Sequence, residues 1–127
     1  VVLQISGAIA GVMLANYMFG IDPVNLSEKP RSGTNLFVSE ILATFGLLLV
    51  ILLSTKEKVA SGVAAYIGAA YWFTSSTSFA NPAGTIGRAF SNTFAGISPD
   101  DVITFCAAQV IGAMLAYLLY KNVFSNS

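Results

Sequence analysis

A chain of 127 residues that is 55% hydrophobic and 9% charged carries too few charges for a soluble surface, where roughly a quarter of residues are charged. Six Lys/Arg balance six Asp/Glu, so no net field draws it to nucleic acid. There is no His, and the one Cys, Cys106, sits in an apolar run. Disulfide and Cys/His metal frameworks are therefore not expected, nor is a cofactor, and Cys106 reads as a packing residue.

Val1 to Phe19 is uncharged and approaches the roughly 20 residues that cross hydrocarbon. Gly7, Gly11 and Ala15 recur every four residues, a small-residue stripe for close helix packing. No basic segment precedes the run, and it ends in Tyr17-Met18-Phe19-Gly20 rather than a small-x-small cleavage site. It therefore reads as a span and not a signal peptide. Gly20 to Asn35 is a polar loop with Pro23, Pro30, Gly33 and the charges Asp22, Glu28, Lys29 and Arg31. Leu36 to Ser54 is a second span, and Thr55-Lys56-Glu57-Lys58 a short turn. Val59 to Phe73 is a third span, closing in Tyr71-Trp72-Phe73, aromatics suited to a membrane interface.

Five hydroxyl residues follow, Thr74 to Ser78, and then Asn81-Pro82. Asn81 is an N-cap, with Pro82 at the first helical position, where a missing N–H costs nothing. Polar, non-helical backbone beside apolar spans cannot be satisfied by lipid, so a re-entrant loop lining a watery path is expected. Ser75 to Ala80, if extended, reaches about 20 Å, enough to bring Asn81 near the midplane. Pro82 to Asn92 would then form a helix of about 16 Å. That is half a span, and it returns to the side it entered from. The competing reading is an exposed loop with an amphipathic helix lying on the membrane surface, to which Phe90 and Phe94 lend weight.

Ala95-Gly96-Ile97-Ser98 turns the chain. Ser98 caps a last helix, with Pro99 first and Asp100 and Asp101 in its positive first turn. Its span runs from about Val102 to Tyr120, with Lys121 and a short polar tail after it. By parity, the loop Gly20–Asn35 and the half-helix open on one side, while Thr55–Lys58 and the C-terminus lie on the other. The Lys/Arg bias favours the latter as cytoplasmic only weakly.

Gln4-x-x-Gly7-Ala8 and Gln109-x-x-Gly112-Ala113 share a pattern 105 residues apart, as do Phe19 and Phe124, and Leu14 and Leu119. If the repeat is real, the first span (1–19) is the last helix of an earlier unit, and 36–120 is a second unit with its re-entrant loop at 74–92. The alternative is chance likeness between Ala/Gly-rich spans. Glu40, one turn into the second span, is a functional candidate by default. It could accept N–H bonds from the non-helical backbone before Asn81, or it could snorkel to the interface. Arg88 could line a mouth or snorkel to head groups. No acid–base pair, activated nucleophile or phosphate loop is present, so an enzyme is not expected.

Asn81-Pro82-Ala83 in a re-entrant position, Glu40-x-x-x-Thr44 at the start of a span, and the paired Q-x-x-G-A helices together resemble the major intrinsic proteins, the aquaporins and aquaglyceroporins. The likeness is to their C-terminal half plus the third helix. It implies an all-α membrane protein, a channel fragment spanning 1–127 with four transmembrane helices and one re-entrant half-helix. It further implies a missing N-terminal repeat carrying the first Asn-Pro-Ala loop, a homotetramer in the lipid bilayer, and passage of water or small neutral solutes. Asn81 would donate amide hydrogens to solute, and the helix N-termini would disfavour cations. The family's usual Arg after the tripeptide is replaced by Gly84. Ser78 takes the adjacent filter position and Ala69 the wall position on the third span. Three small residues imply a wider constriction, with Arg88 a distant stand-in for the guanidinium. The string Phe79 to Arg88 is similar to a prokaryotic branch, some members of which accompany arsenic resistance. That implies a prokaryotic plasma membrane, with glycerol-like solutes or metalloid acids such as arsenous acid as permeants. Two alternatives stand beside this: a non-transporting helical packing or assembly protein, and an inverted homodimer that completes the pore.

Overall fold

The computed structural model describes residues 1–124; the end of the polar tail after Lys121 lies outside the described residues. In chain order the helices are α1 (Val2–Met18), α2 (Thr34–Leu53), α3 (Val59–Phe73), α4 (Pro82–Arg88) and α5 (Pro99–Leu119). A π-helical turn, Tyr120–Phe124, extends α5. Among the described residues no strand forms; Asn25 and Ser91 make one isolated parallel bridge. The fold is therefore all-helical. Thr34–Leu53 and Pro99–Phe124 are each long and apolar enough to cross a membrane, with mean hydropathies of 2.6 and 2.1. Helices α1 and α3 are apolar but shorter, at 17 and 15 residues. Val38 and Leu42 on α2, Trp72 on α3 and Ile103 on α5 are exposed, as suits helices apolar on every face.

The chain forms two compact units, Val1–Ser32 with Asn81–Cys106 and, among the described residues, Gly33–Ala80 with 107–124. In the first, α1 packs on α4. Their contact depends on Gly87, where a Cβ would come to 3.0 Å from the backbone of Ala8. The loop after α1 is laid along the segment following α4. Ser27 N–H donates to Ala89 O at 2.9 Å, and Ser98 N–H to Lys29 O at 2.7 Å. Arg31, a charge in a loop, is buried. Its Nε donates to Gly96 O at 2.7 Å and its Nη2 to Phe94 O at 2.9 Å, while its backbone N–H donates to Asp101 Oδ2 at 2.7 Å. Lys29 Nζ stands 4.4 Å above the Phe94 ring, a cation–π pair.

In the second unit, α2 packs on α3. Tyr66 of α3 donates its hydroxyl to Ala43 O of α2 at 3.0 Å. The C-terminal part of α5 lies closely on α2, and a Cβ at Gly112 would overlap the Ile41 carbonyl oxygen.

Two expectations are corrected. The half-helix ends at Arg88 and not at Asn92. Beyond it Ala89, Phe90 and Ser91 N–H each bond three residues back instead of four, and Phe90 O and Ala89 O accept from Asn16 Nδ2 at 2.8 Å and from Ser27 N–H. The stretch before Asn81 is not extended either. Thr77, Ser78 and Ala80 have φ of 62°, 51° and 49°. This left-handed backbone costs an L-residue roughly 1–2 kcal/mol each, and it curls the loop instead of stretching it.

Candidate functional site

The curled loop is held largely by one carboxylate and by its neighbouring hydroxyls. Glu40, nearly two turns into α2, is fully buried. Its Oε2 accepts from Phe79 N–H at 3.3 Å. Its Oε1 accepts from Ala80 N–H and from Gln109 Nε2 at 2.9 Å. Serines complete the arrangement. Ser39 Oγ accepts from Ser76 N–H at 3.2 Å, Ser76 Oγ from Ser78 N–H at 3.2 Å, and Thr74 O from Thr77 N–H at 3.3 Å. Every N–H from Ser76 to Ala80 thus has an acceptor, which lets a left-handed, non-glycine backbone persist away from water. Thr44 is also buried; its Oγ1 donates back to Glu40 O at 3.0 Å, bracing the turn that carries Glu40. Ser78 is buried, and its Oγ has no hydrogen-bond partner among the described residues. Ala69 is on α3 and exposed.

Asn81 begins the stretch of the first unit that carries α4. Its backbone is extended, and its Oδ1 accepts from Ala83 N–H at 2.9 Å and Gly84 N–H at 3.3 Å. Pro82 follows at the first helical position, where it removes a donor that would otherwise need a partner. The cap bonds fix the amide's orientation, because a backbone N–H needs the oxygen. Nδ2 takes no part in the cap, and the residue is exposed, so its two hydrogens are available to an acceptor. At Gly84 a Cβ would meet only Asn81 Cβ at 3.7 Å and Cγ at 3.9 Å, ordinary contact. The small residue there therefore leaves space that packing does not require. Arg88 closes α4 and lines a cavity of about 580 Å³ with Val12, Asn16, Phe19, Ser91 and Phe94.

Three side chains of consequence escape a reading of the sequence alone. Gln109 lay inside the repeated Q-x-x-G-A pattern without a partner assigned. Asn16 lies inside an apolar run, and Arg31 is one of four charges in a polar loop. The usable signal for the first two was a carboxamide within a span, which must find a partner. For Arg31 there was none.

Among known proteins, the chain is 47% identical over 124 residues to the aquaglyceroporin AqpS of Rhizobium meliloti (strain 1021), an alignment covering 95% of this chain and 53% of that protein. The chain spans about half the length of this curated relative. No family model matches it, and no solved structure does.

Proposed function

We propose, from the premise that the chain belongs to the major intrinsic protein family of aquaporins and aquaglyceroporins, that it supplies half of a passive pore for water and small neutral solutes. Glycerol-like polyols and metalloid acids such as arsenous acid are the solutes proposed. The observation that carries this reading is Asn81. Its oxygen is committed to capping α4, its Nδ2 takes no part in the cap, and the residue is exposed, so it can donate to a solute oxygen without loss of structure. A neutral solute needs no more than such a donor and a wall that does not trap it.

As an integral membrane protein it carries, on this reading, four membrane-spanning helices, α1, α2, α3 and α5, and one re-entrant half-helix, α4, within a loop from 74 to 92. Residues 1–19 are the last helix of a first repeat, and 36–120 are the second. The surface of α1 supports that assignment. In the second unit the motif has a visible use: Gln109 bonds Glu40, and Gly112 lets α2 approach. On α1 the matching Gln4 is exposed, and a Cβ at Gly7 would meet nothing within 4 Å, so the same motif stands ready for a helix of another repeat. The complete pore includes that repeat with its own Asn-Pro-Ala loop, assembles as a homotetramer, and sits in a prokaryotic plasma membrane. Asn81, Pro82 and Ala83 form the central station. Ala69, Ser78, Gly84 and Arg88 are the filter residues, and Glu40 with Thr44 supports the loop. With small residues at 69, 78 and 84, the constriction admits solutes larger than water.

The test is aqueous access to Asn81. In an Asn81→Cys variant lacking the native thiol (Cys106→Ser), a small water-soluble thiol reagent should label position 81, and excess glycerol should slow it. Labelling that glycerol leaves unchanged, or no labelling in the folded protein, contradicts the pore and favours a packing role.

A further inference from the structure

We propose that Asn16 is a positioning residue for solute selection, acting on Arg88 through the segment that follows α4. This rests on the reading of α4 as a pore-lining element. Asn16 lies in the last turn of the apolar helix α1 and is 3% exposed. Its carboxamide is fully employed. Nδ2 donates to Phe90 O at 2.8 Å and to Pro23 O at 3.1 Å, and Oδ1 accepts from Ser91 Oγ at 2.8 Å. Only a carboxamide side chain offers two N–H donors and an acceptor from one planar group. Asn16 therefore joins three segments at one point: the end of α1, the loop that follows it, and the chain just beyond α4.

The link to Arg88 is short and stiff. After α4, Ala89 N–H donates to Ile86 O at 3.2 Å, Phe90 N–H to Gly87 O at 3.1 Å, and Ser91 N–H to Arg88 O at 3.3 Å. These tight turns make Arg88 to Ser91 one piece, and Asn16 grips that piece at both Phe90 and Ser91. Ser91 Oγ also lies 3.1 Å from Thr93 Oγ1, carrying the grip one step further. Asn16, Arg88, Ser91 and Thr93 line the same cavity. A polar side chain in a span is costly and is normally in use. Here its use is to set where the terminal residue of the half-helix stands relative to α1 and the loop.

Asn16→Asp tests this. The side chain keeps its shape but turns acceptor oxygens toward the carbonyls of Pro23 and Phe90. Glycerol and water permeabilities are measured in proteoliposomes carrying the natural full-length protein. Their ratio is the readout, because a loss of folded protein scales both fluxes alike. The ratio should change by about threefold or more, a coupling that touching residues commonly show. In an Arg88→Ala background the same substitution should add no further change. Asn16→Gln, which keeps the amide, should restore part of the native ratio. If Asn16→Asp does not fold, Ser91→Ala carries the same test, with Thr93→Val as the control for the contact to Thr93 Oγ1 that is lost along with the bond to Asn16 Oδ1. An unchanged ratio in the folded variant, or a change of equal size with and without Arg88, overturns the proposal. Should the native protein pass neither solute faster than bare lipid, the channel reading fails and takes this role of Asn16 with it.

Discussion

Replacing Glu40 by Gln should release the loop before Asn81 without unfolding the helices around it. The glutamate presents two acceptor oxygens to three donors, Phe79 N–H, Ala80 N–H and Gln109 Nε2. Glutamine has one oxygen and an amide nitrogen. In its better orientation the oxygen stays with Ala80 and Gln109, and the nitrogen turns toward Phe79 N–H. Two donors then face each other in a buried site. A buried group left unsatisfied costs about 1–3 kcal/mol, so the pair costs about 2–4 kcal/mol after some relaxation. The left-handed residues Thr77, Ser78 and Ala80 oppose the loop by a comparable amount, roughly 1–2 kcal/mol each. The loss therefore falls on the loop's local opening equilibrium. At about 1.4 kcal/mol per tenfold, amide exchange at Phe79 and Ala80 should accelerate about 30- to 700-fold. Hydrogen exchange read by mass spectrometry on a peptide covering 74–83 measures this, with peptides from α2 and α3 as internal controls. Exchange at 79–80 within twofold of the native protein would refute the idea that Glu40 holds the loop.

Three further outcomes follow from the packing. Gly112→Ala places a methyl on the Ile41 carbonyl oxygen and 3.1 Å from Thr44 Cβ; overpacking of this kind costs about 1–3 kcal/mol, so unfolding in mixed micelles should shift by that amount, and native-like stability would contradict the close α2–α5 contact. Arg31→Lys exchanges a fork that reaches both Gly96 O and Phe94 O for a single point charge, and one abandoned carbonyl should lower stability by about 1–3 kcal/mol in the same assay. Gly84→Arg has room for its Cβ, which would meet nothing closer than 3.7 Å, and in the folded variant should reduce the glycerol-to-water permeability ratio about tenfold, one barrier increment of roughly 1.4 kcal/mol. An unchanged ratio would remove Gly84 from the filter.

The helices were legible because apolar runs longer than a core helix have few other uses. α3 covers Val59–Phe73, the same residues as the apolar run between the turn Lys56-Glu57-Lys58 and the hydroxyl tract. The start of α4 was legible as well, since Asn-Pro is a local signal whose physics needs no tertiary partner. Its end was not. Nothing in Ala89-Phe90-Ser91 forbids another helical turn, and the bonds that this segment makes instead with Asn16 and Ser27, 60 to 75 positions away, leave no mark on its local sequence. The curled loop was hidden for a similar reason. Thr77, Ser78 and Ala80 disfavour the conformation they adopt, and it is tolerable because Thr74, Ser39, Ser76 and the buried carboxylate of Glu40 accept the loop's N–H groups. Glu40 itself stood out because a carboxylate in a span is rare. Arg31 did not, because loop cations are common and burial leaves no mark on composition.

The pore reading is tested most directly by stopped-flow light scattering on proteoliposomes containing the natural full-length protein. The account predicts water and glycerol permeabilities well above those of protein-free vesicles, with the weak temperature dependence of movement through a pore. Permeabilities equal to bare lipid, with folded protein verified in the membrane, would contradict it.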